Sequence, residues 1–310
     1  METTVKRFEG NPILTKDDVP YPVATVHNAG MAKHDGQYIM LFRAHRRSGR
    51  SILGLATSGD GFNFEVASEP FMVPATKGIF AQYEEYGVED PRICAMEGRY
   101  LITYSAYSRY GVRIGLAQTQ DFESVERIAL ITQADYRNVV LFPHKFSGRY
   151  ARLDRPHSKI SPWSIWISYS PDLLHWGDSQ LVIKPAPYHW DEMKIGPGTT
   201  PFETEHGWLH IYHGVFPTMA GSVYRLGVAL HDLKDPANIV GVADEWILQP
   251  EDPWEVVGYV HNVVFTCGAI PEDDGTVKIY WGGADTVMCV GTARIGDLVD
   301  LCLNKSRPAV

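Results

Sequence analysis

Apolar residues recur in short runs along this chain, either in alternation with polar residues or as β-branched and aromatic clusters. Such runs predict β-strands, because period-two alternation turns one set of side chains towards a core. The predicted strands cover residues 38–42, 100–104, 163–169, 208–212 and 276–281. No amphipathic pattern predicts a helix beyond short turns, and 28 glycines and 20 prolines supply the turns that an all-β chain needs.

The predicted strands belong to a repeated unit that begins five times, at Gly36, Gly98, Gly148, Gly207 and, more weakly, Gly275. Second strands of similar sequence follow at residues 52–60, 114–121, 165–172 and 225–232, and the fifth copy ends in residues 290–297. A unit of about 50–70 residues cannot bury both faces of its sheet alone, so neighbouring copies must stack. Radial stacking gives a β-propeller, whose central funnel collects loops from every blade. We therefore predict an all-β fold, a five-bladed β-propeller that forms one domain over residues 1–310.

Composition and charge narrow the classes of partner. The formal net charge of −9 argues against nucleic acid or an anionic membrane as a partner. The residues after Met1 lack the apolar core of a signal peptide, and no run has the length of a membrane span. Four cysteines have neither a metal-ligand spacing nor a disulfide framework, which favours a reducing compartment: Cys94, Cys267, Cys289 and Cys302. We expect a cytoplasmic protein.

Polar segments lie between the predicted strands, at residues 26–30, 86–92, 135–143, 153–157, 192–198, 212–214 and 282–286. Each alone has a structural explanation. Asp90 before a proline opens a turn, Arg92 could pair with Glu89 or Asp90 at the surface, and Arg155 could extend into solvent. Because the segments recur at the same edge of successive repeats, together they indicate one shared site.

Several of these segments resemble a known family. The motifs are GVEDPR at 87–92, LDRP at 153–156, KIGPG at 194–198, GWLHIYHG at 207–214 and GADT at 283–286. They resemble the β-mannoside phosphorylases of glycoside hydrolase family 130, and most of all the group acting on β-1,4-manno-oligosaccharides. The resemblance extends from Asn11 to about Leu301. It implies a five-bladed β-propeller, in agreement with the repeats, and a catalytic domain.

The resemblance also implies a reaction. Inorganic phosphate would attack the anomeric carbon of a terminal β-mannosyl unit with inversion, giving α-mannose 1-phosphate and a shortened acceptor sugar. An inverting hydrolase needs an acid and a base, whereas phosphate is already an anionic nucleophile. The protein must instead hold a dianion with cations and hydrogen-bond donors. No metal or other cofactor is implied, and phosphate is a co-substrate.

Residue roles follow from the same resemblance. Asp90 is implied as the general acid, with its proton passing through a mannosyl hydroxyl. The implied phosphate ligands are Arg137, Arg155, Lys194 and His213. The implied ligands of the mannosyl hydroxyls are Asn28, Arg43 and Asp285, with Arg46, Arg47 and Arg50 as substitutes for Arg43. The acceptor sugar is implied to bind His157, Tyr224 and Phe265.

Two other functions stay open at this point. A β-mannosidase of the same family would use water and a carboxylate base, for which Glu84, Glu85 and Glu89 are candidates; in an extended segment Glu89 should point away from Asp90. A non-catalytic carbohydrate-binding propeller would keep the aromatics without needing an acid. The acceptor is also open: a β-1,4-linked manno-oligosaccharide, mannosyl-N-acetylglucosamine or mannosyl-glucose, or a β-1,2-linked mannoside. The sequence also leaves the oligomeric state open, and a homo-oligomer is one of the alternatives.

Overall fold

The computed structural model describes residues 4–310, and within them the chain is built from β-strands with three short α-helices. The predicted all-β fold is confirmed. Residues 1–3, which open the segment used to argue against a signal peptide, lie outside the described residues. No helix in the described part is long and apolar enough to cross a membrane.

The strands fall into five successive units, preceded by β1 (Lys6–Arg7) and a 3-10 turn at Lys16–Asp18. Unit one contains β2 (Thr25–His34), β3 (Gln37–His45), β4 (Ser51–Ser58) and β5 (Glu65–Val66). Helix α1 (Gly78–Tyr83) leads to unit two, with β6 (Gly87–Met96), β7 (Arg99–Ser108), β8 (Gly111–Thr119) and β9 (Glu126–Leu130). Unit three contains β10 (Tyr136–Phe146), β11 (Arg149–Pro156), β12 (Ile165–Ser170) and β13 (Gly177–Ile183).

Unit four contains β14 (Lys194–Pro197), β15 (Phe202–Thr204), β16 (Gly207–Thr218), β17 (Gly221–His231) and β18 (Ile239–Ala243). After helix α2 (Pro253–Val256), unit five contains β19 (Val264–Pro271), β20 (Thr276–Gly283) and β21 (Val287–Arg294). Helix α3 (Ile295–Asn304) and β22 (Ser306–Arg307) end the described elements.

Within each unit, strands that follow one another pair antiparallel, except that β14 and β15 in unit four both pair with β16. The terminal strands complete two of the sheets, since β1 pairs with β21 and β22 pairs with β18. A single parallel bridge between Ser51 and Gly87 joins units one and two into one eight-stranded sheet. The predicted repeat starts are tight hairpin turns, and three have left-handed backbone at both central residues, as the right-handed twist of paired strands favours. These turns are Asp35–Gly36, Glu97–Gly98 and Ser147–Gly148.

The first strand of each unit is interrupted at a corresponding point. Strands β2, β6 and β10 each contain a bulge, and a residue with left-handed backbone lies at each one: Asn28 (φ 51°), Asp90 (φ 50°) and Asn138 (φ 59°). Strand β19 has a bulge after Thr266, and in unit four the first strand is divided into β14 and β15. A bulge redirects side chains. The first strands of neighbouring units lie against each other, so the redirected side chains meet.

Five buried clusters fill the spaces between successive units. Each draws residues from two neighbours, and the fifth returns from unit five to unit one. Representative pairs are Leu41 with Ile102, Leu116 with Leu141, Leu153 with Trp208, Val228 with Ile279, and Tyr280 with Met40. The repeated units therefore bury their sheet faces against one another, as the sequence predicted.

Helix α3 shows that the prediction of no helix beyond short turns is wrong at the C-terminal end of unit five. The fifth copy's second strand ends at Arg294, and residues 295–304 form a ten-residue helix. Its buried side chains are Leu298, Val299 and Cys302, which share one helical face and pack in the cluster between units four and five. This stripe of three apolar residues is shorter than the patterns from which a helix is predicted.

Glu255 anchors the N-terminal strand to unit five. Its carboxylate is fully buried and accepts hydrogen bonds from Arg7 Nη2 at 2.8 Å, Trp281 Nε1 at 2.9 Å and the backbone nitrogen of Glu251 at 2.9 Å. We expect Glu255→Ala to lower the free energy of unfolding by about 2–4 kcal/mol, because the buried indole N–H of Trp281 and the backbone N–H of Glu251 lose their acceptor, while Arg7 keeps its contacts with Glu251 and the Gln249 carbonyl. Urea denaturation measures this change.

The matched control is Glu251→Ala, since the Glu251 side chain is 44% exposed and contacts the same arginine at 3.1 Å. An exposed ion pair contributes about 0–1 kcal/mol, so this variant should stay close to wild type. Equal losses in the two variants would contradict the anchoring role of Glu255.

Candidate functional site

A cavity of about 360 Å³ lies where the first strands meet. All eleven residues that the sequence analysis assigned to the site line it: Asn28, Arg43, Asp90, Arg137, Arg155, His157, Lys194, His213, Tyr224, Phe265 and Asp285. Four further residues complete the lining: Asn138, Trp163, Val260 and Val263. The structure thus brings together residues from all five units, while their individual roles stay predictions.

Asp90 lies at one side of this cavity and is 4% exposed. Its Oδ1 accepts a hydrogen bond from Asn28 Nδ2 at 3.0 Å and another from Arg43 Nη1 at 3.0 Å. Asn28 reaches Asp90 from the bulge of β2, and Arg43 from β3 next to it. Arg43 lines the cavity, whereas its suggested substitutes Arg46, Arg47 and Arg50 are exposed and do not.

The surroundings of Asp90 favour its ionised form. Burial raises the pKa of this carboxyl, but Arg43, Arg92 and the hydrogen bond from Asn28 outweigh burial and hold the pKa below its usual range. With these neighbours Asp90 is a carboxylate at neutral pH. A general acid at this position needs a further negative charge nearby to raise its pKa.

The Glu89 side chain does not point away from Asp90, as an extended segment would require. The segment is not extended at Asp90, whose φ is 50°, and Glu89 and Asp90 bind the same guanidinium. Arg43 Nη2 donates to Glu89 Oε1 at 2.9 Å, and Ser51 donates to the same oxygen at 2.9 Å. The bulge thus brings the two carboxylates together on Arg43, where an extended strand would have separated them.

The other candidate bases lie elsewhere. Glu84 is fully buried and accepts hydrogen bonds from Tyr104 at 2.6 Å and from Arg127 at 2.8 and 2.9 Å. Glu85 pairs with Arg109 at the surface. Neither lines the cavity, and Glu89, although close to it, is bound by Arg43 and Ser51.

Arg92 is buried at 2% exposure, so the surface pair considered from the sequence is wrong. Its guanidinium donates to backbone oxygens of Gly198 at 2.9 Å, Asp90 at 2.9 Å and Pro197 at 3.2 Å, and to Asn138 Oδ1 at 3.4 Å. These contacts connect units two, three and four around the cavity. No carboxylate pairs with Arg92 among the described residues, so its charge is not neutralised.

The predicted phosphate ligands form a cluster of basic side chains. Arg155 is 4% exposed, its Nη1 donates to His213 Nε2 at 3.0 Å, and its Nε has no partner in the described part of the chain. Burial lowers the pKa of Arg155 to about 9, and the nearby Arg137 adds to this effect. Burial and Arg155 together hold the pKa of His213 well below its usual value, so this imidazole is neutral.

Cations exceed carboxylates in this part of the structure. Among the described charged side chains that line the cavity or bond to a lining side chain, five are cations: Arg43, Arg92, Arg137, Arg155 and Lys194. Three are carboxylates: Asp90, Asp285 and Glu89. The excess of two positive charges matches the charge of a phosphate dianion, and it arises in a chain whose net charge is −9.

The residues assigned to phosphate and to the acceptor are interleaved. Tyr224 stacks on His213 with ring centroids 6.2 Å apart, and Phe265 packs on the same imidazole at 4.6 Å. Phe265 is 8% exposed, so most of its ring is already packed. The predicted acceptor role of Tyr224 and Phe265 therefore concerns side chains that also support a predicted phosphate ligand.

Sequence reasoning missed Asn138, Trp163, Val260 and Val263 among the lining residues. Asn138 lies at the bulge of β10, as Asn28 does in β2 and Asp90 in β6, but it precedes its repeat glycine by ten residues where the other two precede theirs by eight, so spacing gave no signal for it. Trp163 carried no signal, because the prediction placed it inside a strand, whereas β12 begins at Ile165. Within residues 4–310, no group of three or more His, Cys, Asp or Glu side chains could hold a metal ion.

The sequence matches the model of glycoside hydrolase family 130, described as beta-1,4-mannooligosaccharide phosphorylase, over residues 2–304. This chain belongs to glycoside hydrolase family 130. It is therefore an enzyme of the phosphorylase type; the family model and the named relatives are all described as phosphorylases.

Relatives within the family differ in the linkage that their names give. A 1,2-beta-oligomannan phosphorylase from a Thermoanaerobacter species is 35% identical over 305 residues, covering 95% of this chain and 98% of the relative. A beta-1,4-mannooligosaccharide phosphorylase from Ruminococcus albus is 31% identical over 301 residues, covering 95% and 89%. The solved structure of a beta-1,2-mannobiose phosphorylase from Listeria innocua, in complex with beta-1,2-mannobiose, aligns with a TM-score of 0.88 at 29% identity, covering 97% and 99%.

In this family 130 enzyme Asp285 is the lining carboxylate without a hydrogen bond among the described residues. It lies between β20 and β21 with left-handed backbone, φ 52°. Burial raises its pKa to about 6; Arg43 opposes the rise, and Asp90 and Glu89 add to it. An acid whose pKa is higher in the folded state than its unfolded value near 4 is destabilising once both states are ionised.

We therefore expect the melting temperature of Asp285→Asn, relative to wild type, to improve as pH rises from 4 to 7. The stabilising contribution of Asp285 is present below pH 4 and is lost as pH rises through about 6, whereas asparagine does not titrate. Activity should fall at the same time, because a predicted mannosyl ligand is lost. Asp273→Asn, at an exposed position of the same unit, is the control. A difference in melting temperature that does not change with pH would contradict this account of Asp285.

Proposed function

We propose that this protein is an inverting β-mannoside phosphorylase. Inorganic phosphate displaces the acceptor sugar from a terminal β-mannosyl unit and gives α-mannose 1-phosphate. The observation that carries this proposal is the excess of two positive charges around a cavity that also contains the carboxylate of Asp90, which accepts hydrogen bonds from Arg43 and Asn28. Hydrolysis uses water, a neutral nucleophile, and therefore does not require an excess of cations around the cavity. The three glutamates considered as bases also lie outside the cavity lining.

This arrangement supports an inverting displacement by phosphate. A phosphate oxygen forms the new bond to the anomeric carbon while the bond from that carbon to the acceptor oxygen breaks. A proton from Asp90 ends on the departing oxygen, relayed by a mannosyl hydroxyl as the resemblance implies. Because a bound dianion partly offsets Arg92 and Arg155, it raises the pKa of Asp90 and favours the protonated form that an acid needs. The preference of Asp90 for ionisation without such an anion thus fits a phosphate-dependent enzyme.

The names of the relatives agree on phosphorolysis and differ in the substrate. Those described above are named as phosphorylases of β-1,2- or β-1,4-linked mannosides, and a further relative is named for mannosyl-glucose. The β-1,4-linked manno-oligosaccharide, mannosyl-N-acetylglucosamine or mannosyl-glucose favoured by the sequence stays a prediction, with β-1,2-linked mannosides as the alternative.

We propose further that the five units form a five-bladed β-propeller and a single catalytic domain. The circular order of the buried clusters, from unit one through unit five and back, supports this architecture. A cytoplasmic location and independence from metals or other cofactors remain predictions from the sequence.

Phosphate dependence tests the proposed function directly. The protein is incubated with β-1,2-mannobiose or β-1,4-mannobiose, each with and without inorganic phosphate, and α-mannose 1-phosphate and free mannose are measured. We expect the phosphate ester only with phosphate, and a preference for one linkage. Equal cleavage to two mannose molecules in phosphate-free buffer would show a hydrolase.

Substitution of Asp90 tests the acid. Asp90→Asn preserves the hydrogen bond from Arg43 but removes the titrating group, so turnover should fall by roughly 10²–10⁴-fold. Binding of inorganic phosphate, followed by calorimetry, should persist because its ligands are unchanged. Turnover near that of wild type would assign the acid to another residue.

A further inference from the structure

Trp163 lines the cavity in the segment between β11 and β12. Its position is fixed at two points. Its backbone oxygen accepts a hydrogen bond from the Ile195 nitrogen at 2.9 Å, next to Lys194. Its Nε1 donates to the Ser158 oxygen at 2.8 Å, which closes the loop that follows His157. Trp163 thus connects the loop assigned to the acceptor with the strand that carries a phosphate ligand.

The indole ring is in contact with three predicted ligands. His157 stacks on it in parallel, with centroids 4.1 Å apart and planes inclined by 9°. Lys194 Nζ lies over the ring at 5.0 Å from its centroid, and Arg155 Cζ at 5.3 Å. Lys194 also lies over the ring of Tyr224 at 5.3 Å, so its ammonium has an aromatic ring on two sides.

These contacts stabilise cations that have no carboxylate partner in the described part of the chain. Arg155 and Lys194 repel each other and other cations, and neither forms an ion pair with a carboxylate within residues 4–310. A carboxylate would hold them in place but would also cancel the charge that phosphate needs. The negative face of an aromatic ring attracts a cation and leaves its charge intact. Indole has the strongest such face among the side chains.

We propose that Trp163 is a positioning residue of the phosphate site, whose ring holds Lys194 and Arg155 ready for the anion. The inference rests on the proposed function, since it specifies how that site keeps unpaired cations in place. The ring acts through the two cations and does not itself contact phosphate. Its stack with His157 also joins the acceptor loop to the phosphate ligands.

Two substitutions separate the ring's electrostatic role from its bulk. Trp163→Leu removes the aromatic face and should raise KM for inorganic phosphate roughly 5- to 30-fold, as expected for a partly buried cation–π contact. Turnover at saturating phosphate should stay within about threefold, because phosphate restores the positions of the cations. Trp163→Phe retains an aromatic face and should recover most of the phosphate affinity.

Trp246→Leu is the matched control. Trp246 is partly buried like Trp163 and lies under Arg225 at 4.7 Å, but it does not line the cavity. This variant should leave KM for phosphate unchanged. An equal rise in Trp246→Leu and Trp163→Leu, or a fall in turnover with KM unchanged, would overturn the proposal.

A double substitution tests whether Trp163 acts through Lys194. In a Lys194→Ala background, Trp163→Leu should have a much smaller effect on KM than in wild type, with the remainder due to Arg155. The full effect in both backgrounds would overturn the proposal. Calorimetry with inorganic phosphate alone separates the two levels of inference. A wild-type protein that neither binds nor uses phosphate contradicts the proposed function, whereas equal phosphate binding by wild type and Trp163→Leu contradicts only the role of Trp163.

Discussion

The buried guanidinium of Arg92 is the interaction on which the rest of the site depends. It donates to backbone oxygens of Asp90, Pro197 and Gly198 and to the Asn138 side chain, at the point where the first strands of three units meet. Bulged strands leave backbone groups without ladder partners, and a five-donor fork can satisfy several of them at once. Arg92 forms no ion pair with a carboxylate of residues 4–310, and its charge also helps to lower the pKa of Asp90.

Fold and chemistry therefore constrain each other. A cavity with more cations than carboxylates is unfavourable in a protein interior unless an anion binds, so phosphate should stabilise the fold as well as react. The structure limits this cost with contacts that do not neutralise charge: backbone oxygens for Arg92, a neutral imidazole for Arg155 and aromatic rings for Lys194. These solutions leave the positive potential of the cavity available to a ligand.

The sequence predicted the strands, the repeat starts and the whole set of eleven residues that meet in the cavity. Glycine turns and period-two alternation are local signals. The quoted family motifs contain five of the site residues, and the other six rest on the wider resemblance along the chain. What it missed depends on three-dimensional context. The left-handed backbone at Asp90 reverses the expected separation from Glu89, and Arg92 is buried because other units supply its acceptors. The link between Trp163 and Lys194 joins segments whose contact no alternation pattern reveals.

The interleaving of the two predicted ligand sets has a consequence for how the enzyme works. Tyr224 contacts both Lys194 and His213, while His157 and Lys194 share the ring of Trp163. An acceptor sugar that moves Tyr224 or His157 must therefore also disturb the cations proposed to hold phosphate. Binding free energies at two such sites are linked, and linkage is reciprocal. Phosphate and acceptor should then each change the affinity for the other, so that substitutions in this region alter the use of both substrates and cannot be assigned to one subsite by sequence position alone.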